Sequence, residues 1–450
     1  MNCKFVAILS GILYCMLFFL GTVHASQEVT ESNIRVGIWS NQRNILVSAD
    51  TDYEIINVDK NQTLARFAAN EKATIVYNGK EFILNGKKID AVRLSILKLK
   101  NSDVSSIEVN NKKYRGNISI HITNGKSGMT VVNTLSVEEY LYGVIAKEIS
   151  PNWSLEAVKA QAVAARTYAL YNRNKHQNDG YDVCATTDCQ VYGGREGEVL
   201  RGIKAVDATA GHVILYQGKL IPAYFHSSSG GYTENSENVW GTYLPYLRGV
   251  VDYDQASPHY NWEKQLRPNE LEELLSKAGY NIGIIKAIGI SPLGTQPINS
   301  PDRGISGRVK LIRFIGTNGS IQLTGEKLRT ILSLKSSLFD IHVIIPVQKT
   351  IEFEISDGIG NVGNKKVEIN LPPTNEKGYF TDKEDIHRIS GRINEVISIS
   401  GFGWGHGLGL SQWGAKAMAE KGPQNDPTYF KEILKHYYQG VEVKKLPKGV

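Results

Sequence analysis

Apolar and polar residues alternate along Ile34-Arg-Val-Gly-Ile-Trp39, the two-residue period of a strand with one buried face. Turn dipeptides then recur at Asn78-Gly79, Asn85-Gly86, Arg115-Gly116 and Asn124-Gly125, so residues 34–125 read as strand-rich. The period changes at Ser136. Leu141, Val144 and Ile145 are spaced as on a helix, and Ser136 followed three residues later by Glu139 predicts a capping box. A second helix is predicted over Ser154 to Leu170, behind Pro151 and with Ser154 as N-cap. Its Leu155, Val158, Ala162, Ala165 and Ala169 form a narrow stripe of small residues suited to close packing. From Val213 short strands and glycine turns return, broken by a charged helix over Pro268 to Ala278. Arg308 to Phe314 reads as a strand, Thr317 to Ser320 as a turn and Thr324 to Leu332 as a helix. Residues 352–392 are polar and rich in Gly, Asn and Lys, the pattern of a poorly packed insertion. A strand from Val396 to Ser400, a glycine-rich element and a helix from Thr428 to Tyr438 close the chain, with no internal repeat.

These elements predict an α+β fold: a strand-rich N-terminal region, a central helical hairpin with mixed β structure, and glycine-rich loops. With 450 residues and 41% hydrophobic content the chain can bury two or three domains' worth of core. The expected divisions are a leader (1–25), the β-rich region (34–125), the first part of the core (126–262), an α/β segment (263–351), the polar insertion (352–392) and a segment completing the core (393–445).

Within the first helix Glu148 lies seven, four and three residues beyond Leu141, Val144 and Ile145, so it falls on the apolar stripe. Burial disfavours the charged form of a carboxylate and raises its pKa, as a general acid near neutral pH requires. The plainer alternative is a helix-end glutamate that reaches solvent or pairs with a cation.

The ends and the charge restrict the compartment. Lys4 is the one charge in the first 25 residues, Phe5 to Leu20 is apolar, and Val23-His24-Ala25 is a small-residue cleavage site, which together read as a secretory signal. An uncleaved membrane anchor is the alternative, and no later segment is apolar enough to span a bilayer. Removing the leader deletes Lys4 and no acid, taking the formal net charge from +6 to +5. That charge is diffuse, without the basic block that tracks phosphates, so a nucleic-acid partner is not expected. An extracellular anionic polymer such as cell-wall material fits better. Cleavage also removes Cys3 and Cys15, leaving Cys184 and Cys189.

Four constellations can carry chemistry. Lys159 and Arg166, seven apart, share a helix face and converge with Glu148 if the two helices form a hairpin around Pro151. Otherwise they are two solvated cations. His226-Ser227-Ser228-Ser229-Gly230-Gly231 offers hydroxyl and backbone donors to a sugar, with Trp240 as a stacking surface. It is not a nucleophile elbow, because Gly-x-Ser-x-Gly is absent. Gly401 to Gly414 holds six glycines around Trp404, His406, Gln412 and Trp413, without dinucleotide or P-loop spacing. Its backbone either passes close to a ligand or packs as a strand-to-helix junction. Cys184, Cys189 and His176, near Asp179, Asp182 and Asp188, can hold a structural zinc, with a Cys184–Cys189 disulfide as the alternative.

Together four blocks resemble the stage II sporulation protein D family, which includes the amidase-enhancer (autolysin modifier) proteins of bacteria. They are Val131 to Glu148, Glu156 to Ala169, Ala223 to Gly231 and Gly403 to Ala415, in order along the chain. The resemblance implies a lytic transglycosylase that cuts peptidoglycan glycan strands stripped of stem peptides. Glu148 matches the family's catalytic glutamate, and Lys159 and Arg166 match its helix cations. His176, Cys184 and Cys189 partly match the zinc cluster of some members, with the fourth ligand unassigned. The implied reaction needs no cofactor and only one carboxyl group, because the acceptor hydroxyl belongs to the substrate itself. A wall-binding protein that stimulates a peptidoglycan amidase without catalysis is the competing expectation. A zinc hydrolase ranks last, since no general base is spaced around the cysteines.

Overall fold

Asn33–Gln42 pairs antiparallel with Met129–Ser136, Ile34 opposite Leu135 and Val36 opposite Asn133. On its other edge it takes the two-residue strand Val183–Cys184 in parallel, Gly37 beside Cys184. Asn117–Ile122, Arg93–Lys98, Tyr53–Asn57 and Gln62–Phe67 complete this seven-stranded sheet. A second sheet of six strands is built around Asn44–Ala49 and Ala73–Tyr77. Both bury alternate residues (Ile34, Val36 and Ile55 from one, Ile45, Val47 and Ile75 from the other) in a single core, as the two-residue period requires. Asn85-Gly86 turns the hairpin between Phe82–Leu84 and Lys87–Ile89 with both residues at positive φ, which suits the twist of adjacent strands.

The structure, a computed structural model, describes residues 33–446 apart from 101, 103, 123–126, 299, 345–349, 357–358, 360–361, 369–385 and 392–393. The leader expected over 1–25, the turn at Asn124-Gly125 and much of the polar insertion lie outside the described residues. Within the insertion Thr350–Ser356 and Val362–Glu368 form an antiparallel hairpin.

The Met129–Ser136 strand runs directly into helix α1 (Val137–Glu148), whose capping box is present in full. Helix α2 (Leu155–Tyr171) is buried continuously from Ala157 to Leu170. Its Val158, Ala162, Ala165 and Ala169 pack in the N-terminal core, whereas Ala157, Ala160, Val163 and Ala164 pack in a separate core. The predicted stripe from Val158 on is therefore only one of two buried faces, while its first member, Leu155, is exposed at the helix start, and alanines bring neighbours close at little entropic cost. Ser154 occupies the N-cap position without a side-chain capping bond. Helices α3 (Leu200–Ala208) and α4 (Ser236–Trp240) follow.

A second lobe contains the sheet Asn261–Leu266, Val396–Phe402 and Phe339–Ile344, and a four-stranded sheet around Ile285–Gly289 and Leu311–Gly316. Helices α5 (Pro268–Lys277) and α6 (Gly325–Leu332) cover it through Leu271, Leu275, Leu328 and Leu332. The strand expected from Arg308 begins at Leu311, because the Val309 and Lys310 N–H groups bond the Ser337 and Asp302 carbonyls, while the buried Arg308 guanidinium bonds the Ser229 and Tyr232 carbonyls. Helices α7 (Gln412–Lys421) and α8 (Phe430–Tyr437) return to the central region against α2. The architecture is α+β.

Candidate active site

Glu148 ends α1 and faces the segment that follows Cys189. Its Oε1 accepts the Val191 N–H at 2.8 Å. Burial raises its pKa above the usual carboxylate range, and the Val191 bond opposes this only in part. Among the described residues no cation pairs with it. The carboxyl lines a cavity of about 610 Å³, shared with Tyr224, His226, Trp240, Trp404, His406 and Gln412.

These walls come from stretches far apart in sequence. Phe225–His226 pairs in parallel with Leu410–Ser411, and Ser228 bridges to Trp404, so the two glycine-bearing motifs form one surface. Gly403 (φ +70°) makes that approach possible, since a Cβ there would meet the Ser228 carbonyl oxygen at 2.5 Å. The glycine-rich element is thus both a packed strand-to-helix junction and a cavity wall. Trp404 and Trp240 are each 44% exposed, Trp404 standing against His259 and Lys335 and Trp240 against Tyr224 and His406, so each offers part of its ring to a ligand.

The two histidines are neutral. His226 is pushed well down by burial first, then by His406 and Arg308. His406 is pushed down to about 3 by burial, then by Arg329 and Arg308. His226 Nδ1 lies 3.1 Å from the Leu408 carbonyl and must carry the proton, whereas His406 Nδ1 accepts the Leu408 N–H at 3.0 Å. His226 Nε2 is therefore an acceptor, and it has no partner among the described residues.

The structure departs from the expected convergence of Lys159 and Arg166 on Glu148. Lys159 Nζ pairs with Glu156 at 2.7 Å and bonds the Pro427 carbonyl at 2.9 Å. Arg166, 1% exposed, pairs with both oxygens of Glu138 and bonds the Val206 and His212 carbonyls. Both are absorbed in packing α2, and neither lines the cavity. The conflict between nearby cations and a raised Glu148 pKa disappears with them. Ser228 and Ser229 are likewise turned inward, their hydroxyls donating to the buried Asp254 and Asp252, while the Gly230 N–H donates to Asp254. Of that loop, His226 and Ser227 reach the cavity.

His176, Cys184, Asp188 and Cys189 gather donor atoms that all lie within 4.8 Å of one another. Both cysteines are free thiols. His176 Nε2 is 3.1 Å from Asp188 Oδ2 and 3.4 Å from Cys189 Sγ, and Cys184 Sγ is 3.7 Å from Asp188 Oδ2. Bond lengths of about 2.0–2.3 Å to a tetrahedral zinc imply donor separations of about 3.3–3.8 Å, which the set approaches and reaches with small side-chain shifts. Asp188 is the fourth member of this cluster, and only its place beside Cys189 hinted at it. Lys175, Val191 and Arg329 are further cavity-side residues that no motif singled out, because loops and a second lobe bring them in.

A family model described as Stage II sporulation protein matches residues 125–216. An uncharacterized protein of Brachyspira hyodysenteriae is 34% identical over 316 residues, 70% of this chain and 68% of its own length. The Amidase enhancer of Bacillus subtilis is 31% identical over 357 residues, 75% of this chain and 45% of that longer protein. Stage II sporulation protein D of Bacillus amyloliquefaciens is 29% identical over 328 residues, 69% of this chain and 75% of its own. The chain belongs to the stage II sporulation protein D family. Among the described residues no helix is long and apolar enough to cross a membrane.

Proposed function

We propose that the protein is a lytic transglycosylase of peptidoglycan glycan strands, acting at the cell wall with Glu148 as both acid and base. The observation that carries this reading is a single desolvated carboxyl, unpaired with any described cation, on the wall of a cavity flanked by two part-exposed tryptophans. The cavity's other carboxylate, Asp188, is tied to Lys175 and His176 and held below the usual range, with the Lys175 bond the main force lowering it. It suits a ligand rather than a proton donor.

The protonated Glu148 gives its proton to the glycosidic oxygen following N-acetylmuramic acid as the bond from C1 to that oxygen breaks. The resulting carboxylate removes the proton from the same sugar's C6 hydroxyl, whose oxygen closes on C1. The product is a 1,6-anhydro ring, and Glu148 ends protonated as it began. Water is not consumed, so proximity of the C6 oxygen stands in for a second activating group. Incubation with peptide-free strands should yield 1,6-anhydro ends by mass spectrometry. A second reading, a wall-bound stimulator of a peptidoglycan amidase, is favoured by the likeness to the Amidase enhancer. It prevails if no anhydro ends form while an added amidase is accelerated.

We further propose that His176, Cys184, Asp188 and Cys189 hold a structural zinc. Its coordination would tie down the loop that ends at Val191, whose N–H orients Glu148. Purified protein should carry about one zinc by elemental analysis. Chelation should lower the unfolding midpoint by about 2–4 °C, as linkage of about 2–3 kcal/mol predicts for a chain of this length. C184S with C189S should bind no zinc and lose that response to chelator.

A further inference from the structure

One cation in the cavity is only partly engaged by its own fold. Arg329, in the last turn of α6, donates through Nη1 to Glu326 at 3.1 Å and through Nε to the Leu334 carbonyl at 3.4 Å. Among the described residues Nη2 has no recorded partner, and the side chain remains 24% exposed where it lines the same cavity as Glu148. Lys175, the other cation there, is committed to Asp188 through both the carboxylate and the carbonyl. His226 and His406 contribute no charge, being neutral. The cavity therefore carries one guanidinium whose ion pair with Glu326 uses a single nitrogen and leaves Nη2 for a ligand among the described residues, and that planar, forked donor face fits a carboxylate.

A glycan strand has a carboxylate to offer only in one state. Each muramic acid bears a lactyl group whose carboxyl is masked as an amide while a stem peptide is attached, and is a free anion once the peptide is removed. We propose that Arg329 is a specificity-determining residue that binds the free lactyl carboxylate of peptide-stripped strands. Selection would then be by attraction to a charge that the peptide-bearing strand lacks at that atom. The inference rests on the glycan-strand reading above, and it makes the second lobe part of the substrate site.

Binding, measured apart from cleavage, tests it. The Glu148→Gln protein is titrated with peptide-free strands and with the same strands methyl-esterified at the lactyl carboxyl. We expect the free-acid strands to bind about ten- to hundredfold more tightly, the range of hydrogen bonds to charged groups, and the ratio to shrink as salt rises. Arg329→Gln should bring that ratio to about one, and Arg329→Lys should keep part of it. Glu326→Gln releases the competing carboxylate and should raise the ratio. If Arg329 only closes the end of α6, Arg329→Gln lowers the melting temperature and weakens both strands equally, leaving the ratio intact. That result, or a fall in the ratio for Glu326→Gln, overturns the proposal while the glycan-strand reading stands. Failure of the Glu148→Gln protein to bind either strand overturns both.

Discussion

Glu148→Gln should abolish 1,6-anhydro product while strand capture persists, with turnover lower by about 10²- to 10⁴-fold, the usual contribution of a positioned acid–base group. The amide retains an oxygen for the Val191 N–H, so the loop should hold its place. The wild-type pH profile follows from the same residue. Only the protonated carboxyl can deliver the first proton, so activity should fall on the alkaline side as pH passes the raised pKa of Glu148. Stability carries the same sign. The folded pKa lies above the unfolded value of about 4.3, so the fold favours the protonated form. Stability is complete below the unfolded pKa and is lost as pH rises through the folded one. Glu148→Gln should therefore gain stability relative to wild type as pH rises from the unfolded value through the raised folded pKa, measured by denaturant titrations. A carboxylate that faced open water would show neither trend.

Arg166→Met should cost about 3–5 kcal/mol of stability, since it strands Glu138 without its bidentate partner and leaves the Val206 and His212 carbonyls unpaired. The expected readout is a lower denaturation midpoint with kcat per folded molecule close to wild type. A large drop in kcat at unchanged stability would return Arg166 to the catalytic site, where the family resemblance puts it. The geometry argues otherwise, because every contact recorded for its guanidinium lies within the α1, α2 and α3 packing or with the following segment.

Glu148 could be picked out before any coordinates because it breaks a periodic pattern. A carboxylate in register with Leu141, Val144 and Ile145 is dictated by helix geometry, and the capping box at Ser136 sets that register. The helices over Pro268 and Thr324 were legible for the same reason, since caps and apolar spacing are local. Lys159 and Arg166 show where this reasoning ends. Their spacing gives a shared face, but spacing is silent about the neighbour, and a helix buried on two sides has no solvent face to lend to a site. The serines after His226 fail similarly. Their hydroxyls are satisfied by Asp252 and Asp254, more than twenty residues away, and no local pattern announces that pairing.

The chain by itself determined the strand and helix periods, the register that puts Glu148 on the apolar stripe and the four blocks that mark its family, because these depend on neighbours within a few turns. Only the tertiary structure decided which side chains share the cavity. Parallel pairing of Phe225–His226 with Leu410–Ser411 joins two loops separated by about 180 residues, and α6 brings Arg329 from the other lobe. Asp188 joins the thiols, and the cations of α2 leave the site, for the same physical reason. Burial requires every polar group to find a partner, and that partner is set by long-range packing.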